Sequence, residues 1–216
     1  MTTQTPTSSS PTRPSRRGDP TWELGEGAPL QGDWTEAEYI GLGEEFRAEL
    51  NSGCLEFLPM PTWIHAWIVD YFHDLLKAYV RPRKLGYTAS SQVRVRTNPG
   101  QVREPDIVYL TPDRIADPRQ PSDGADLIVE VVREGHGDRV RDYDEKRAEY
   151  AQAGIPEYWI VDPATETITV LALPFGTAEY VMSGEYKSGQ TAVSVLLPGF
   201  AVDVSACFAA GKLEGG

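Results

Sequence analysis

Residues 127–132, Leu-Ile-Val-Glu-Val-Val, constrain this chain most, because an apolar, β-branched run there contains one carboxylate. Such a run predicts a buried strand. An ionised carboxylate without a partner is costly in an apolar interior, so Glu130 needs a cation, a hydrogen-bond cluster or a metal. Two other stretches offer partners. Asp106 opens a second apolar strand at 106–110, and Lys146 lies on the helix predicted to start at Asp138.

The size and composition of the chain predict one domain behind a leader. With 216 residues and 40% hydrophobic residues, the chain can bury one good core. Residues 1–27 are rich in Thr, Ser, Pro and Arg and show no apolar period, which predicts a disordered leader. We therefore expect a single domain over residues 28–216.

The charge is acidic but unevenly distributed. A formal net charge of -12 argues against a generic nucleic-acid coat protein or a membrane-surface binder. Residues 81–103, however, contain six basic side chains and no acidic one. Within them Arg94 and Arg96 alternate with valines, which predicts a strand with one basic face, and both arginines are candidates for nucleic-acid contacts.

The remaining composition gives no sign of export or of a membrane span. The two cysteines, Cys54 and Cys207, are too far apart in sequence for a disulfide framework or a C-x-x-C site. No apolar run approaches the roughly 18 residues that a membrane helix needs, and no signal peptide is visible. These features predict a soluble, cytoplasmic protein.

Local signals in the first half predict a short helix, a hairpin and a long helix. Thr35 and Glu38 form a capping-box pattern, and Gly53 allows a tight turn between strands at 46–50 and 54–58. Thr62 can cap a helix to about Val80, whose apolar residues recur at three-and-four spacing. On this helix His65 and His73 are interpreted as solvated or core side chains, because no third metal ligand is in view.

The second half predicts a helix followed by several strands. Asp142, Lys146 and Tyr150 define one side of the helix, which ends at Gly154. Strands at 158–161 and 167–173 form a hairpin, and two more at 179–182 and 193–197 complete the sheet. This order predicts an α+β fold, an α/β sandwich with a mixed sheet.

Two carboxylates on neighbouring strands and a lysine on an adjoining helix suit a magnesium site. Mg²⁺ prefers oxygen ligands and is typically held by one or two carboxylates plus water and phosphate. It can activate a bound water as a nucleophile, while Lys146 stabilises the developing charge. The alternative is structural: Glu130 forms a salt bridge with Lys146 or Arg133, and Asp106 only caps a strand entry.

Four motifs resemble the Uma-type family of putative restriction endonucleases, which belongs to the PD-(D/E)xK nuclease superfamily. They are EPDIV at 104–108, DLIVEVV at 126–132, DYDEKRAEY at 142–150 and GIPEYWIVDP at 154–163. The similarity extends from about Trp34 to Phe208 and includes Glu49, the turn at Gly53 and His65. The GIPEYW block is the most specific of these.

The resemblance implies a restriction-endonuclease-like fold, with a mixed β-sheet flanked by helices, and Mg²⁺-dependent phosphodiester cleavage, with Mn²⁺ able to substitute. It implies that Asp106, Glu130 and the main-chain carbonyl of Val131 bind the metal. Lys146 would be the catalytic lysine, displaced onto the helix, and Glu49 matches an acidic position that reaches the same site. A two-fold homodimer and a nucleic-acid substrate, DNA before RNA, are also implied.

The chain departs from the family pattern after the central strand, where Arg133-Glu134 replaces a common Ser-Pro. Arg133 is therefore a third candidate for a phosphate contact. The departure also keeps a second hypothesis open: a catalytically silent protein of nuclease fold that binds nucleic acid or a protein partner.

Overall fold

The structure is a computed structural model and describes residues 16–43, 46–91, 93–133 and 139–212. In chain order its strands are β1 Ala48–Asn51, β2 Cys54–Phe57, β3 Tyr87–Ser90, β4 Val95–Asn98, β5 Gln101–Arg103, β6 Ile107–Leu110, β7 Ser122–Asp123, β8 Leu127–Val131, β9 Glu157–Asp162, β10 Thr167–Ala172, β11 Val181–Lys187, β12 Thr191–Val193 and β13 Ala201–Asp203. The helices are α1 Glu36–Gly41, α2 Trp63–Arg83, α3 Lys146–Gln152 and α4 Val204–Ala210, with a 3-10 turn at Pro112–Arg114 and a π-helical turn at Arg141–Glu145.

Two mixed sheets organise these strands, which confirms the predicted α+β class. The first has the order β2-β1-β5-β4-β7 and the second the order β11-β10-β9-β8-β6-β3. In the second sheet β8 and β9 are parallel, whereas β8 and β6 are antiparallel. The strands with the predicted site residues are therefore neighbours in the middle of a sheet. A separate two-stranded sheet pairs β12 with β13.

The two faces of the six-stranded sheet pack against different helices. On one face Phe72 of α2 meets Trp159 of β9 edge to face, with ring centroids 5.3 Å apart. On the other face Tyr150 of α3 meets Tyr158 at 5.1 Å. Because side chains alternate along a strand, Glu130 shares the α3 face with its neighbours Ile128 and Val132.

Several local predictions are confirmed. Thr35 and Glu38 form the capping box of α1, and the Thr62 hydroxyl accepts from the backbone N–H of His65 at the start of α2. The β1–β2 hairpin turns at Gly53, whose φ is 82°. An added Cβ there would lie 2.5 Å from the carbonyl oxygen of Gly32, so both the turn and the close approach require glycine.

Other predictions are wrong or lie outside the described residues. Residues 194–200 form turns, and the strand predicted at 193–197 is replaced by the β12–β13 pair. Buried side chains of this pair and of α4 pack onto the α2 face of the core. Helix α2 continues past Val80 to Arg83, with Pro82 in its last turn, and β4 begins at Val95 rather than Val93. Asp138, the predicted start of the helix before α3, lies outside the described residues.

The described part of the predicted leader makes packed contacts. The Thr21 side chain is buried, and its hydroxyl accepts from the indole N–H of Trp34 at 3.1 Å. Leu24 packs against the core cluster between α1 and the β1–β2 hairpin. These contacts begin before the predicted boundary at residue 27, while residues 1–15 lie outside the described part. No helix among the described residues is long and apolar enough to cross a membrane.

Candidate active site

Asp106, directly before β6, is fixed by two donors. Its Oδ2 accepts from the backbone N–H of Val131 at 2.9 Å and lies 3.0 Å from Nε2 of His65. The carboxylate is buried, and among the described residues its Oδ1 makes no hydrogen bond. Burial alone would raise the pKa of Asp106, but the hydrogen bond and charge of His65, together with Lys146, lower it. Asp106 is therefore held as a carboxylate with one oxygen available.

Glu130, in β8, is held by the helix on its face of the sheet. Its Oε1 accepts from the Lys146 ammonium at 2.7 Å and from the Tyr150 hydroxyl at 2.7 Å. Burial raises the pKa of Glu130 to about 7, against the effect of Lys146 and with the help of the nearby Asp106 charge. This carboxylate is thus poorly compensated, because desolvation and a second carboxylate both disfavour its negative charge. A cation near it would stabilise the charged form.

Lys146 opens α3 and joins the carboxylates. Its ammonium is buried and lies 2.7 Å from Glu130, 3.5 Å from Asp142 and 3.8 Å from Glu49. The predicted i, i+4 series on this side of the helix is confirmed by the Asp142 contact. Burial would lower the pKa of Lys146, but these carboxylates raise it instead. The side chain therefore remains a charged donor.

Glu49, in β1, is fully buried and fully engaged. Its Oε2 pairs with Arg103 at 2.9 Å and with Arg141, and its Oε1 accepts from the backbone N–H of Glu104 at 3.0 Å. Burial would raise the pKa of Glu49, but Lys146, Arg141 and Arg103 hold it well below its usual range. Glu49 therefore organises cations around the site and has little capacity left for a metal.

One cleft of about 330 Å³, including its open mouth, brings most predicted site residues together. The residues that line it are Glu49, Leu58, Glu104, Asp106, Glu130, Val131, Arg133, Arg141, Asp142 and Lys146. The carboxylates of the two strands and the lysine of the helix thus open to the same space, as the sequence predicted.

The three arginines predicted to contact nucleic acid have different environments. Arg133 is half-buried in the wall of this cleft and makes no hydrogen bond within the described part of the chain. Arg94 instead donates to the carbonyl of Gly43 at 2.6 Å and lies over the Tyr39 ring. Arg96 pairs with Glu36 and Asp123, so internal ion pairs already use its guanidinium.

The donor set fits a hard divalent cation of the magnesium type. Across the described ranges, no group of three or more His, Cys, Asp or Glu side chains is arranged to hold a metal ion. A cage of the kind that binds structural zinc is therefore absent from these residues. Asp106 and Glu130 each keep one oxygen free of hydrogen bonds to described residues, and Mg²⁺ commonly uses one or two carboxylates and retains water.

Sequence reasoning missed the residues that hold this site in place. The sequence predicts a solvated or core side chain at His65, yet this residue is a neighbour of Asp106. The sequence shows Arg103 only as part of a basic stretch, yet this residue is buried and joins Glu49 to Glu149. Tyr150 belonged to the predicted helix side, and that spacing was the available signal for its contact with Glu130. No local pattern indicated the other two contacts, which join distant segments.

Comparison with known proteins gives a family and a fold. The model of the Uma2 family, described as a putative restriction endonuclease, matches residues 34–205. No curated protein matches the chain. Among solved structures, the fold is similar to that of a putative nuclease belonging to DUF820 from Anabaena variabilis ATCC 29413. The TM-score is 0.66 at 16% sequence identity, over 83% of this chain and 99% of that one. At this identity the structural likeness supports the fold alone.

Proposed function

Because the chain belongs to the Uma2 family, we propose that it is a metal-dependent nuclease that hydrolyses phosphodiester bonds of nucleic acid, with DNA as the first substrate to test. The observation that carries this proposal is a single cleft that contains two buried carboxylates, Asp106 and Glu130, and a buried lysine 2.7 Å from one of them. Clefts with perturbed ionisable groups of this kind are typical of catalytic sites.

Asp106 and Glu130 would hold Mg²⁺, or Mn²⁺ in its place, together with the main-chain carbonyl of Val131. When bound, such an ion polarises a phosphoryl oxygen and lowers the pKa of a coordinated water. The hydrogen bonds of Val131 and His65 to one oxygen of Asp106 leave the other free to face a ligand. The Tyr150 hydroxyl does the same for Glu130 and fixes its orientation.

Lys146 would act as a cation rather than as a base. The carboxylates around it raise its pKa, so its ammonium remains protonated at neutral pH. A protonated lysine can donate to the attacking water or to a phosphoryl oxygen, and it stabilises negative charge that develops there. Glu49, at 3.8 Å, is a positioning residue that keeps Lys146 and Arg141 at the cleft.

The test is cleavage of labelled DNA and RNA by the purified protein with Mg²⁺, with Mn²⁺ and with EDTA. We expect cleavage that needs the divalent cation and that falls at least 100-fold in Asp106→Asn and Lys146→Met. Glu185→Gln is the matched control, because this exposed carboxylate lies on β11 away from the cleft residues and should leave cleavage unchanged.

One observation favours a second function, a catalytically silent protein that binds nucleic acid. The Lys146 ammonium already lies 2.7 Å from one oxygen of Glu130, in a place where a bound cation would otherwise act. Calorimetric titration with Mn²⁺ separates the two functions. Binding of Mn²⁺ that Asp106→Asn weakens supports the nuclease, whereas no metal binding together with no cleavage favours the silent protein.

We also propose a two-fold homodimer. It is supported by an apolar surface at the start of α2, where Met60 is 80% and Trp63 is 75% exposed. Light scattering after gel filtration should give twice the chain mass of 23.8 kDa. Trp63→Ser should shift the protein towards monomer, while Phe175→Ser, an exposed aromatic on another segment, should not. A monomer at all concentrations contradicts the proposal.

The cytoplasmic location stays a prediction.

A further inference from the structure

A second and larger cleft, of about 1160 Å³ including its mouth, adjoins the candidate active site. The residues that define it are Ile40, Phe46, Arg47, Arg94, Glu104 and Arg119. Glu104 also lines the first cleft, so the two spaces meet at this side chain. A ligand that extends beyond the first cleft on this side would enter the second.

The second cleft is cationic, although the protein as a whole is acidic. Of the described residues that line it, Arg47, Arg94 and Arg119 are basic and Glu104 is the one acidic residue. Burial raises the pKa of Glu104, against the effect of Arg94, so its negative charge is also disfavoured. Local charge, not the net charge of the chain, determines which ligand a cleft attracts.

Arg47 is the side chain whose state points most directly to a ligand. Its Nε is buried and has no hydrogen-bond partner, and its guanidinium makes no hydrogen bond with any described residue. Buried donors are nearly always satisfied in folded proteins, because an unmade hydrogen bond costs free energy. An acceptor supplied by a ligand would satisfy this one. A guanidinium matches the paired oxygens of a phosphate especially well.

The other two arginines of the second cleft, Arg94 and Arg119, have different roles. Arg94 already donates to Gly43, lies over Tyr39 and pairs with Glu104 at 3.5 Å, so it shapes the wall and its charge is partly compensated within the cleft. The Arg119 side chain is 87% exposed, and among the described residues it pairs only with Asp117, two residues before it. Such a surface pair is weak, and a phosphate could compete for Arg119.

We propose that this second cleft binds the backbone phosphates next to the scissile bond of a nucleic-acid strand, with Arg47 as the main anchor and Arg119 at the mouth. The inference rests on the proposed function, because the first cleft would then hold the scissile phosphate. It also changes the set of predicted nucleic-acid contacts. Arg96 is a candidate from the sequence, but internal ion pairs use its guanidinium. Arg47 was not among the predicted contacts and takes this role in the proposal.

The test is binding of fluorescein-labelled oligonucleotides, single- and double-stranded, by anisotropy over a series of NaCl concentrations. EDTA prevents metal-dependent cleavage, and a repeat with Ca²⁺ covers binding that needs a cation. We expect Arg47→Ala to weaken binding about tenfold and to reduce the slope of log affinity against log salt by about one. Arg47→Glu should weaken binding further, and Arg119→Ala about threefold.

Arg83→Ala is the matched control. Like Arg119, Arg83 is an exposed arginine. It ends α2, eighteen residues after His65, the neighbour of Asp106 at the first cleft. At 1.5 Å per residue this separation is about 27 Å along the helix. Thermal unfolding of each variant shows whether it is folded. If Arg47→Ala fails to fold, Arg119→Ala and Arg119→Glu decide the question, because this side chain is too exposed to support the core.

Equal affinity of wild type, Arg47→Glu and Arg119→Glu overturns the inference, and so does the absence of any nucleic-acid binding. The two proposals can fail separately. Metal-dependent cleavage with an unchanged KM in Arg47→Glu keeps the nuclease and removes the second cleft. Binding that depends on Arg47 without any cleavage keeps the second cleft and removes the nuclease.

Discussion

Two buried regions of this protein differ in composition: one consists of apolar side chains and the other of charged ones. Between α2 and the six-stranded sheet, Phe72, Leu76 and Trp159 pack with other apolar side chains that are almost fully buried. Between the five-stranded sheet and α3, Arg103 is just as buried but is surrounded by the carboxylates of Glu49 and Glu149. The first region needs only shape and volume, whereas the second needs every charge to have its partner.

The difference separates the residues that stabilise the fold from those that serve the proposed function. Apolar burial gives a net gain of about 25 cal/mol for each Å² removed from water. A buried ion pair recovers little beyond the desolvation of its charges, and well-packed apolar residues often replace it at no loss. Stability alone therefore does not require the second region, called the charged region below, which contains Arg103, Glu49 and Glu149. Glu49 joins this region to the cleft with Asp106 and Glu130, because it also pairs with Arg141 and Lys146 in the cleft wall.

The largest effect that tests this comparison is expected for Arg103→Met. The substitution removes one buried cation, which takes from Glu149 the arginine that pairs with it and from Glu49 one of three cations, and it should lower the free energy of unfolding by about 3–5 kcal/mol. Urea denaturation at neutral pH measures it. The double variant Arg103→Met, Glu49→Gln should recover part of the loss, because it also removes a buried negative charge. A stability equal to wild type in Arg103→Met would show that water compensates these carboxylates.

The apolar region should respond in a different way. Leu76→Ala deletes part of a fully buried side chain on α2 and should cost about 2–5 kcal/mol, according to how far the cavity closes. Cleavage by the remaining folded protein should stay unchanged, because Leu76 lies on the opposite face of the sheet from Glu130. Loss of cleavage without loss of stability would contradict the separation of the two regions.

The apolar region is also the part that could be predicted from the sequence. The four-residue spacing of Ile68, Phe72 and Leu76 predicts the buried face of α2, and Thr62 gives its start. The run at 127–132 predicts a central strand, and the odd carboxylate in it predicts a buried partner. Both signals are local, since they depend on the period of one element.

The charged region could be predicted only in part, because its contacts join distant segments. Lys146 and Tyr150 follow from helix spacing, but the pairing of Arg103 with Glu49 depends on which strands become neighbours. The same is true of His65 and Asp106, 41 residues apart on a helix and a strand entry. The β12–β13 pair and α4 were missed for another reason, since their elements are too short to show a clear period.

A smaller effect is expected for His65, which touches the charged region from the helix of the apolar one. His65→Ala removes a hydrogen bond from Asp106 and should weaken Mn²⁺ binding about tenfold, as loss of a partner that orients a metal ligand commonly does. His65→Gln can still donate and should recover part of the affinity. The cap of α2 uses only the backbone of His65, so both variants should remain folded. Equal Mn²⁺ affinity in wild type and His65→Ala would contradict an orienting role.

The smallest effect near neutral pH is expected in the dependence of stability on pH without metal. This measurement is also the most specific test of the charged region. The folded-state pKa of Glu49 lies below its ordinary value of 4.5. Its contribution to stability is therefore complete above about pH 4.5 and is lost as the pH falls towards the folded-state pKa. Glu130 acts in the opposite sense, because burial raises its pKa to about 7. Between about pH 4.5 and 7 the folded state binds this proton more strongly, so stability falls as the pH rises.

Urea denaturation from pH 3 to pH 8 in EDTA separates the two groups when wild type is compared with Glu49→Gln and Glu130→Gln. Glu49→Gln should flatten the loss of stability below pH 4.5, and Glu130→Gln should remove the decline between about pH 4.5 and 7. Saturating Mn²⁺ should also remove the second decline, because a cation favours the ionised form of Glu130. If the profile of Glu130→Gln is parallel to that of wild type, the carboxylate is already ionised through its pair with Lys146. The charged region would then be compensated from within, as the silent alternative requires.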